Sequence, residues 1–592
     1  MKLFKKISIL TISLISISAV SCKKLLVENP RANITPQFFT TPGGVLGGII
    51  GIYGDMRNLW GTEGFTNITL AGTDEYLAGG SATSSTIPFF TYTNLVGNIT
   101  AYNAVSIFGV AYQDINTANG VLQYGPSAFP DAETRTEYLA QAKFLRALYY
   151  FYLVQTFGPV PLHTTFISTP TTSDSRAPIA DIYAQIVTDL TQASTELQTI
   201  PGETISSTGA TSPFAGKAAT KATAQYLLAK VYLTRGWSTA AQPNDFAMAL
   251  STAQALISNA SAYKIGLWPD FASANAPGNE YGQETLFVVD ESNSTKYGNY
   301  VAGGAGGSYN ITSNLFRPNY PTVNANYPAS GGSSVMTRDI ANGRPFIRIR
   351  PNPAYVIEQA FADKVNDSRY YKTFQTTWIA NTAGVTTPRG TLTVGADTAI
   401  WMPPYDPGAT KRATFKGIIL TPLEDNAPNP YTTVFYPSMK KYDDPNRTGV
   451  NDPSTRPFIL FRYADVYMVA AEAAFKTGDL TTAAAMINII RSRAAYQPTN
   501  SGSQNSAAVA AMQITPAQVT LDFILDERSR EFYGECQRWY DLARTQSLIR
   551  RTQQYNAEGG PNIQSFEDLR PIPQTEIDLV TTGPKFPQNP GY

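Results

Sequence analysis

The sequence predicts a mainly α protein: a scaffold of tetratricopeptide-like helix pairs that carries a large, irregular, loop-rich portion with a few short strands. Three observations lead there. Apolar residues recur every three or four positions in two separated blocks, about 100–260 and about 458–550. Between them, about 261–457, that period fades into Gly-, Pro-, Asn- and Tyr-rich stretches such as GNYVAGGAGGSYN and NYPTVNANYPASGGSS. Finally, two helical segments far apart in the chain share the small-and-large residue spacing of a helix-pair repeat.

At the N-terminus, Lys2, Lys5 and Lys6 precede an uncharged run from Ile7 to Val20 that ends at Ser21-Cys22. A bilayer-crossing helix takes about 20 apolar residues, and this run stops short before Lys23 and Lys24. It therefore predicts a signal peptide over 1–21. A small residue followed by Cys is the bacterial lipoprotein processing pattern, which makes Cys22 the lipid attachment point and leaves 22–592 as one domain. Cleavage near Ala19 with plain secretion is the alternative.

Helices are expected over Glu137–Phe157, stopped by Gly158-Pro159, then over Ala180–Leu197, Ala215–Thr234 and Asp245–Ile257. The second block predicts helix from Tyr463 through Arg493 and again from Ala517 to about Arg550. LLAKVYLTRG (Leu227 to Gly236) matches VAAEAAFKTG (Val469 to Gly478), with Ala229 over Ala471, Leu233 over Phe475, and a turn glycine expected at each end. In the middle portion Glu284–Val289 reads as a short strand. Trp268, Phe271, Phe287, Trp378 and Trp401 predict packing there, not a disordered linker.

Composition narrows the function. Lys plus Arg equals Asp plus Glu at 45 each, so the basic surplus that nucleic acid binding needs is missing. Tyr is abundant at 34, beside many Asn, Thr, Ser and Gly, which suits neutral polar ligands. Cys536 is the only cysteine besides Cys22, and His163 the only histidine, so disulfide frameworks, catalytic triads and histidine metal sites have little to build on. The glycines of Gly43–Gly54 lack the Lys-Ser/Thr ending of a phosphate loop. Glu527 and Glu531 within Asp526–Glu531 share one helix face, where ion pairing with nearby arginines is expected in place of the two-sided carboxylates of glycoside hydrolysis. Asp443, Asp444 and Asp452 lack EF-hand spacing and read as turn residues. No cofactor and no metal is predicted.

Four segments in this order resemble the SusD/RagB family: AQAKFLRALYYFYLVQTFGPVPL (Ala140 to Leu162), FRYADVYMVAAEAAFKTGD (Phe461 to Asp479), FILDERSREFYGECQRWYDLART (Phe523 to Thr545), and LRPIPQTEIDL with a terminal QNPGY. The resemblance covers nearly all of the mature chain. It departs at Gly534–Trp539, GECQRW where many members read EGHRW, and at Lys23-Lys24, where an acidic stretch often accompanies surface export. It implies a SusD-like fold and a surface-facing outer-membrane lipoprotein, not an enzyme, that captures oligosaccharide nutrients. Such members act as a hinged lid on a SusC-type TonB-dependent transporter. A peptide ligand, a secreted glycoside hydrolase and a tetratricopeptide envelope scaffold are the rival readings. Sugar capture needs exposed aromatics beside polar groups. Asp74 and Tyr76 lie where the family commonly places an acidic contact, Trp60 and Tyr92 flank them, and Tyr297 and Tyr300 sit in a Gly-rich loop; these six are the expected ligand contacts.

Overall fold

Asp131 accepts the Thr134 backbone N–H at 2.7 Å and so caps a long helix, Ala132–Phe157, which Gly158 ends at φ +70°. The computed structural model describes residues 35–95, 107–202, 209, 218–291, 310–422 and 431–592. Its main helices are α1 (Pro42–Asp55), α2 (Glu63–Leu70), α3 (Ile107–Tyr124), α4 (Ala132–Phe157), α5 (Ile179–Glu196), α6 (Lys221–Trp237) and α7 (Asp245–Ser258). After the loop-rich portion come α8 (Tyr463–Lys476), α9 (Leu480–Ala495), α10 (Gly502–Met512), α11 (Leu521–Phe532), α12 (Arg538–Arg544) and α13 (Leu548–Tyr555). No helix among the described residues is long and apolar enough to cross a membrane.

Successive helices pack in order: α3 on α4, α4 on α5, α5 on α6 and α6 on α7. The stack then continues across the sequence gap, with α7 on α8, α8 on α9 and α9 on α10. The two matched segments are thus halves of one solenoid, in which each pair buries its apolar face on the next. Their glycines differ in role. Gly478 turns the chain at φ +84° with open space around it. Gly236 instead lies inside α6, where a Cβ would stand 2.9 Å from the Phe246 ring of α7. The expected turn glycine is there a close-approach glycine.

Other expectations needed correction at their edges. The Ala215–Thr234 helix begins only at Lys221, because Thr220 and Thr223 form a reciprocal capping box there; residues 215–217 lie outside the described ones. The stretch expected as one helix from Ala517 to Arg550 is broken into α11, α12 and α13. Gly534 and Cys536 take left-handed backbone at φ +82° and +56°, and Gln546 does so at +55°. Cys536 itself is buried, and burial pushes its thiol up to about 12.

Strands are short: β1 (Tyr76–Ala78), β2 (Thr285–Val289), β3 (Ile349–Pro351), β4 (Thr377–Ile379), β5 (Thr398–Trp401), β6 (Ile418–Ile419) and β7 (Phe458–Arg462). β2 pairs antiparallel with β7, so the two ends of the loop-rich portion close on each other. Thr223 donates its hydroxyl to the Leu286 carbonyl at 2.6 Å and locks β2 to α6. β1 pairs with β3, and β4, β5 and β6 form a three-stranded sheet. Under that sheet Tyr320, Trp378, Ile400, Leu420 and Phe435 make a second core. Burying side chains of this size is worth roughly 1.5–3 kcal/mol each, which holds the loops in place without helices.

Candidate functional site

The segment expected to meet ligand is interior. Asp74 is fully buried and takes Arg538 on both oxygens, Nε to Oδ1 at 2.8 Å and Nη2 to Oδ2 at 2.6 Å, while Arg551 Nε adds a third bond at 2.7 Å. Burial alone pushes this carboxyl up, but the two guanidiniums outweigh it and hold it below the usual range. Tyr76 stacks on Tyr533 with ring centroids 4.8 Å apart. Trp60 packs among Phe65, Tyr149 and Tyr152 at 5.5–5.8 Å. Tyr92, buried with φ +56°, lies 6.0 Å from the Arg570 guanidinium. Trp60, Asp74, Tyr76 and Tyr92 are therefore core residues and offer a ligand no face, contrary to the sequence reading. The physical reason is that the arginines neutralising Asp74 arrive from α12 and α13, at the far end of the chain. Tyr297, Tyr300 and Cys22 lie outside the described residues.

Glu75 differs from its neighbour. It is also buried, accepts the Ser529 hydroxyl at 2.6 Å on one oxygen, and finds no hydrogen-bond partner for the other. Burial, and after it the neighbouring Asp74 charge, raise its carboxyl from 4.5 to about 7 against the opposing pull of Arg538, whose Nε lies 3.4 Å away.

The charge-rich run on α11 is wired inward. Glu527 pairs with Arg369, Arg491 and Arg530 at 2.8, 2.9 and 2.8 Å. Glu531 meets Arg369 and Arg462 at 3.2 and 3.0 Å, and also Arg493. Burial pushes the Glu531 carboxyl up, but Arg493, Arg462 and Arg369 prevail and bring it down to about 2. Arg528 joins Asp465 and Asp541 at 2.5 and 2.6 Å. With every carboxylate gripped by guanidiniums and shut from solvent, this network binds helices together and has no opening for a substrate. Turn aspartates behave similarly: Asp444 takes the Ser454 hydroxyl at 2.8 Å and the Thr455 N–H at 3.0 Å, and Thr448 donates to Asp452 at 2.6 Å.

Exposed aromatic surface appears in the loop-rich portion. Trp401 closes β5, and the chain then turns through Pro403-Pro404, where the Tyr431 hydroxyl donates to the Pro403 carbonyl at 2.7 Å. Beyond the turn Tyr405 is 49% exposed, its ring 6.4 Å from Trp401. Phe415 lies 5.6 Å from Trp401 on the other side. Lys411, exposed on the short helix Gly408–Thr414, brings its ammonium to 5.7 and 5.9 Å from the Trp401 and Phe415 rings, and no carboxylate pairs with it. Asp406 and Arg412 pair alongside at 3.0 Å. Flat apolar faces edged by charged and amide donors are what a sugar ring's C–H face and hydroxyls can use. Two clefts of about 290 and 380 Å³ also open on the helical frame. One is lined by Tyr183, Trp237 and Tyr540, the other by Tyr112, His163 and Asp174.

Known protein families match both parts of the chain. Residues 70–233 match a family described as starch-binding and associating with the outer membrane, and residues 290–592, over half the chain, match the SusD family. The chain belongs to the SusD family. Among relatives, SusD-like protein P2 of Formosa agariphila is 26% identical over 593 residues, covering 98% of this chain and 99% of its own. A SusD homolog from Bacteroides thetaiotaomicron has the same fold at TM-score 0.65 and 20% identity, over 94% of this chain and 98% of its own. A laminarin-binding SusD-like protein matches at TM-score 0.60 and 21% identity, over 93% of this chain and all of its own.

Within this SusD-family chain the division of labour is plain. The helical frame and its arginine–carboxylate wiring hold the shape, and the loop-rich portion carries the exposed Tyr405 ring beside Trp401. The sequence marks that surface only weakly, as WMPPYD followed by two adjacent cations, because a Trp in a Pro-rich turn reads equally as packing.

Proposed function

We propose that this SusD-family chain is a lipoprotein of the outer-membrane surface, anchored through Cys22. In this reading it binds oligosaccharide nutrients and closes as a hinged lid over a SusC-type TonB-dependent transporter, without catalysing a reaction. The observation that carries the reading is the Trp401, Tyr405, Phe415 and Lys411 surface, where an exposed Tyr405 ring and the half-buried Trp401 and Phe415 rings meet solvent on loops fixed to a rigid frame. The starch-binding description of the matching family and the laminarin-binding relative support a glycan as the ligand class. Tyr297 and Tyr300, in the Gly-rich stretch of the sequence, are proposed to add contacts. Delivery then requires the closed state to touch the ligand more than the open state does, since only differential affinity shifts the equilibrium.

The test has two parts. The soluble form lacking Cys22, screened against neutral and charged polysaccharides and against peptides, should bind a glycan and leave it uncut. Lipidated protein extracted in detergent should bring a TonB-dependent barrel with it. Peptide binding alone would replace the ligand class, and chain shortening abolished by one carboxylate substitution would replace the binding-protein reading.

A further inference from the structure

Arginines in this protein are seldom left idle. Those of the interior hold carboxylates, and others, such as Arg135 and Arg176, hold backbone carbonyls. Among the described residues Arg338, Arg344 and, elsewhere in the loop-rich portion, Arg389 are exceptions: none of these guanidiniums has an ion pair or a hydrogen bond. Arg338 and Arg344 lie close together in the loop-rich portion, beside Arg348.

Phe346 organises the group. Its ring has the Arg344 guanidinium 4.7 Å from the centroid and that of Arg348 at 5.9 Å. The backbone beneath is pinned: Phe346 N–H donates to the Asn314 carbonyl at 3.3 Å, Ile347 to Arg317 at 3.1 Å and Arg348 to Leu315 at 3.2 Å. Ile347 sits at φ +56°, a left-handed conformation that a β-branched side chain resists. That turn carries Phe346 and its two flanking arginines, and the chain runs directly on into β3, which is paired with β1.

Arg348 is balanced by Glu63, but no carboxylate is paired with Arg338 or Arg344. Glu63 is taken by Arg348 at 3.1 Å, and Asp339 by Asn342 and Asn381. Partial burial, and after it the charges of Arg338 and Arg348, lower the Arg344 guanidinium from its ordinary value. A guanidinium fork with free N–H groups matches the paired oxygens of a carboxylate or sulfate ester.

We propose that Arg344 and Arg348, which flank Phe346, form with nearby Arg338 a site for the carboxylate or sulfate-ester group of an acidic oligosaccharide. This rests on the glycan-binding reading and narrows it to charged polymers. A bilayer headgroup surface is the less suitable occupant, since recognition of anionic lipid takes clusters of about 4–8 basic residues and this one has three.

The soluble form lacking Cys22 tests the proposal by affinity electrophoresis. The gels contain polygalacturonate, alginate, a sulfated galactan, the same galactan desulfated, amylopectin or laminarin. At least one acidic polymer should retard the protein, and added salt should weaken the retardation. Arg344→Gln and the Arg338→Gln/Arg344→Gln pair should lower affinity about tenfold or more, with Arg344→Lys intermediate. Arg550→Gln, on α13, should leave it unchanged, and melting curves check that each variant folds. Retardation by an acidic polymer that the arginine variants leave untouched overturns the site. Retardation by neutral polymers alone overturns the acidic class while leaving glycan binding intact. Retardation by none overturns both readings, and variant-sensitive binding to vesicles with 30% anionic lipid instead assigns the arginines to a membrane.

Discussion

Arg538 grips Asp74 by both carboxylate oxygens, at 2.8 and 2.6 Å, and so fastens α12 to a loop 464 positions earlier in the chain. Arg551 closes on the same carboxylate at 2.7 Å. Removing Asp74 would leave two buried guanidiniums short of their counter-charge. Asp74→Ala is expected to destabilise the fold by about 3–5 kcal/mol in denaturant unfolding, while whatever protein remains folded binds its ligand as before. Loss of affinity at unchanged stability would return Asp74 to the ligand site.

Glu75 sets a pH dependence of the opposite sense to that of Asp74. Its folded carboxyl is raised from 4.5 to about 7, so its contribution to stability is complete below 4.5 and is lost as pH rises through 7. Glu75→Gln keeps an oxygen for the Ser529 hydroxyl and removes the titration. Urea midpoints measured from pH 4.5 to 8 should therefore flatten in the variant, which gains on the order of 2–3 kcal/mol over the unaltered protein at the alkaline end. Parallel curves would show that Glu75 does not titrate in this window.

Trp401→Ala and Tyr405→Ala should each weaken glycan binding by roughly 1–2 kcal/mol, about 5- to 30-fold, as expected for loss of an aromatic stacking face. Melting temperature should move little for Tyr405→Ala, whose ring is 49% exposed. Trp378→Ala is the contrasting control: its ring is buried in the second core, so stability should fall by about 3–5 kcal/mol. Calorimetric titration with a bound polysaccharide, beside thermal melts, separates the two kinds of loss.

The two repeat glycines should fail for different reasons. Gly236→Ala drives a Cβ to 2.9 Å from Phe246 and should cost about 1–3 kcal/mol, partly recovered by Phe246→Leu. Gly478→Ala meets no atom within 4 Å but must hold φ +84°, at a cost of about 1–2 kcal/mol, and Gly478→Asn should recover part of it. Phe246→Leu should do nothing for Gly478→Ala.

What the sequence disclosed follows from how local each signal is. α4 was legible because its period, its capping Asp131 and its Gly158 stop lie in one stretch. The inward role of Glu527 and Glu531 was legible because residues one turn apart cannot straddle a bond. Asp74, Trp60 and Tyr76 read as ligand contacts because what buries them is distant: Arg538 and Arg551 hold Asp74, Tyr533 covers Tyr76, and Tyr149 and Tyr152 pack on Trp60, and no local pattern connects them. The break between α12 and α13 is hidden because left-handed backbone at Gln546 leaves no compositional mark, and that between α11 and α12 shows only Gly534, beside an equally left-handed Cys536. Membership of the SusD family was readable because several such signals occur in a fixed order.

α7 packs directly on α8, although some 200 residues part them. Since β2 and β7 pair at the base of that excursion, it leaves and rejoins the stack at nearly one point. The excursion has its own interior, built on Trp378 and Ile400. Loops around that second core can lengthen, shorten or change their chemistry with little work against the solenoid, whereas Arg369, which holds Glu527 and Glu531 of α11, ties the excursion to the frame. A single frame can in this way carry loop surfaces of differing shape and chemistry.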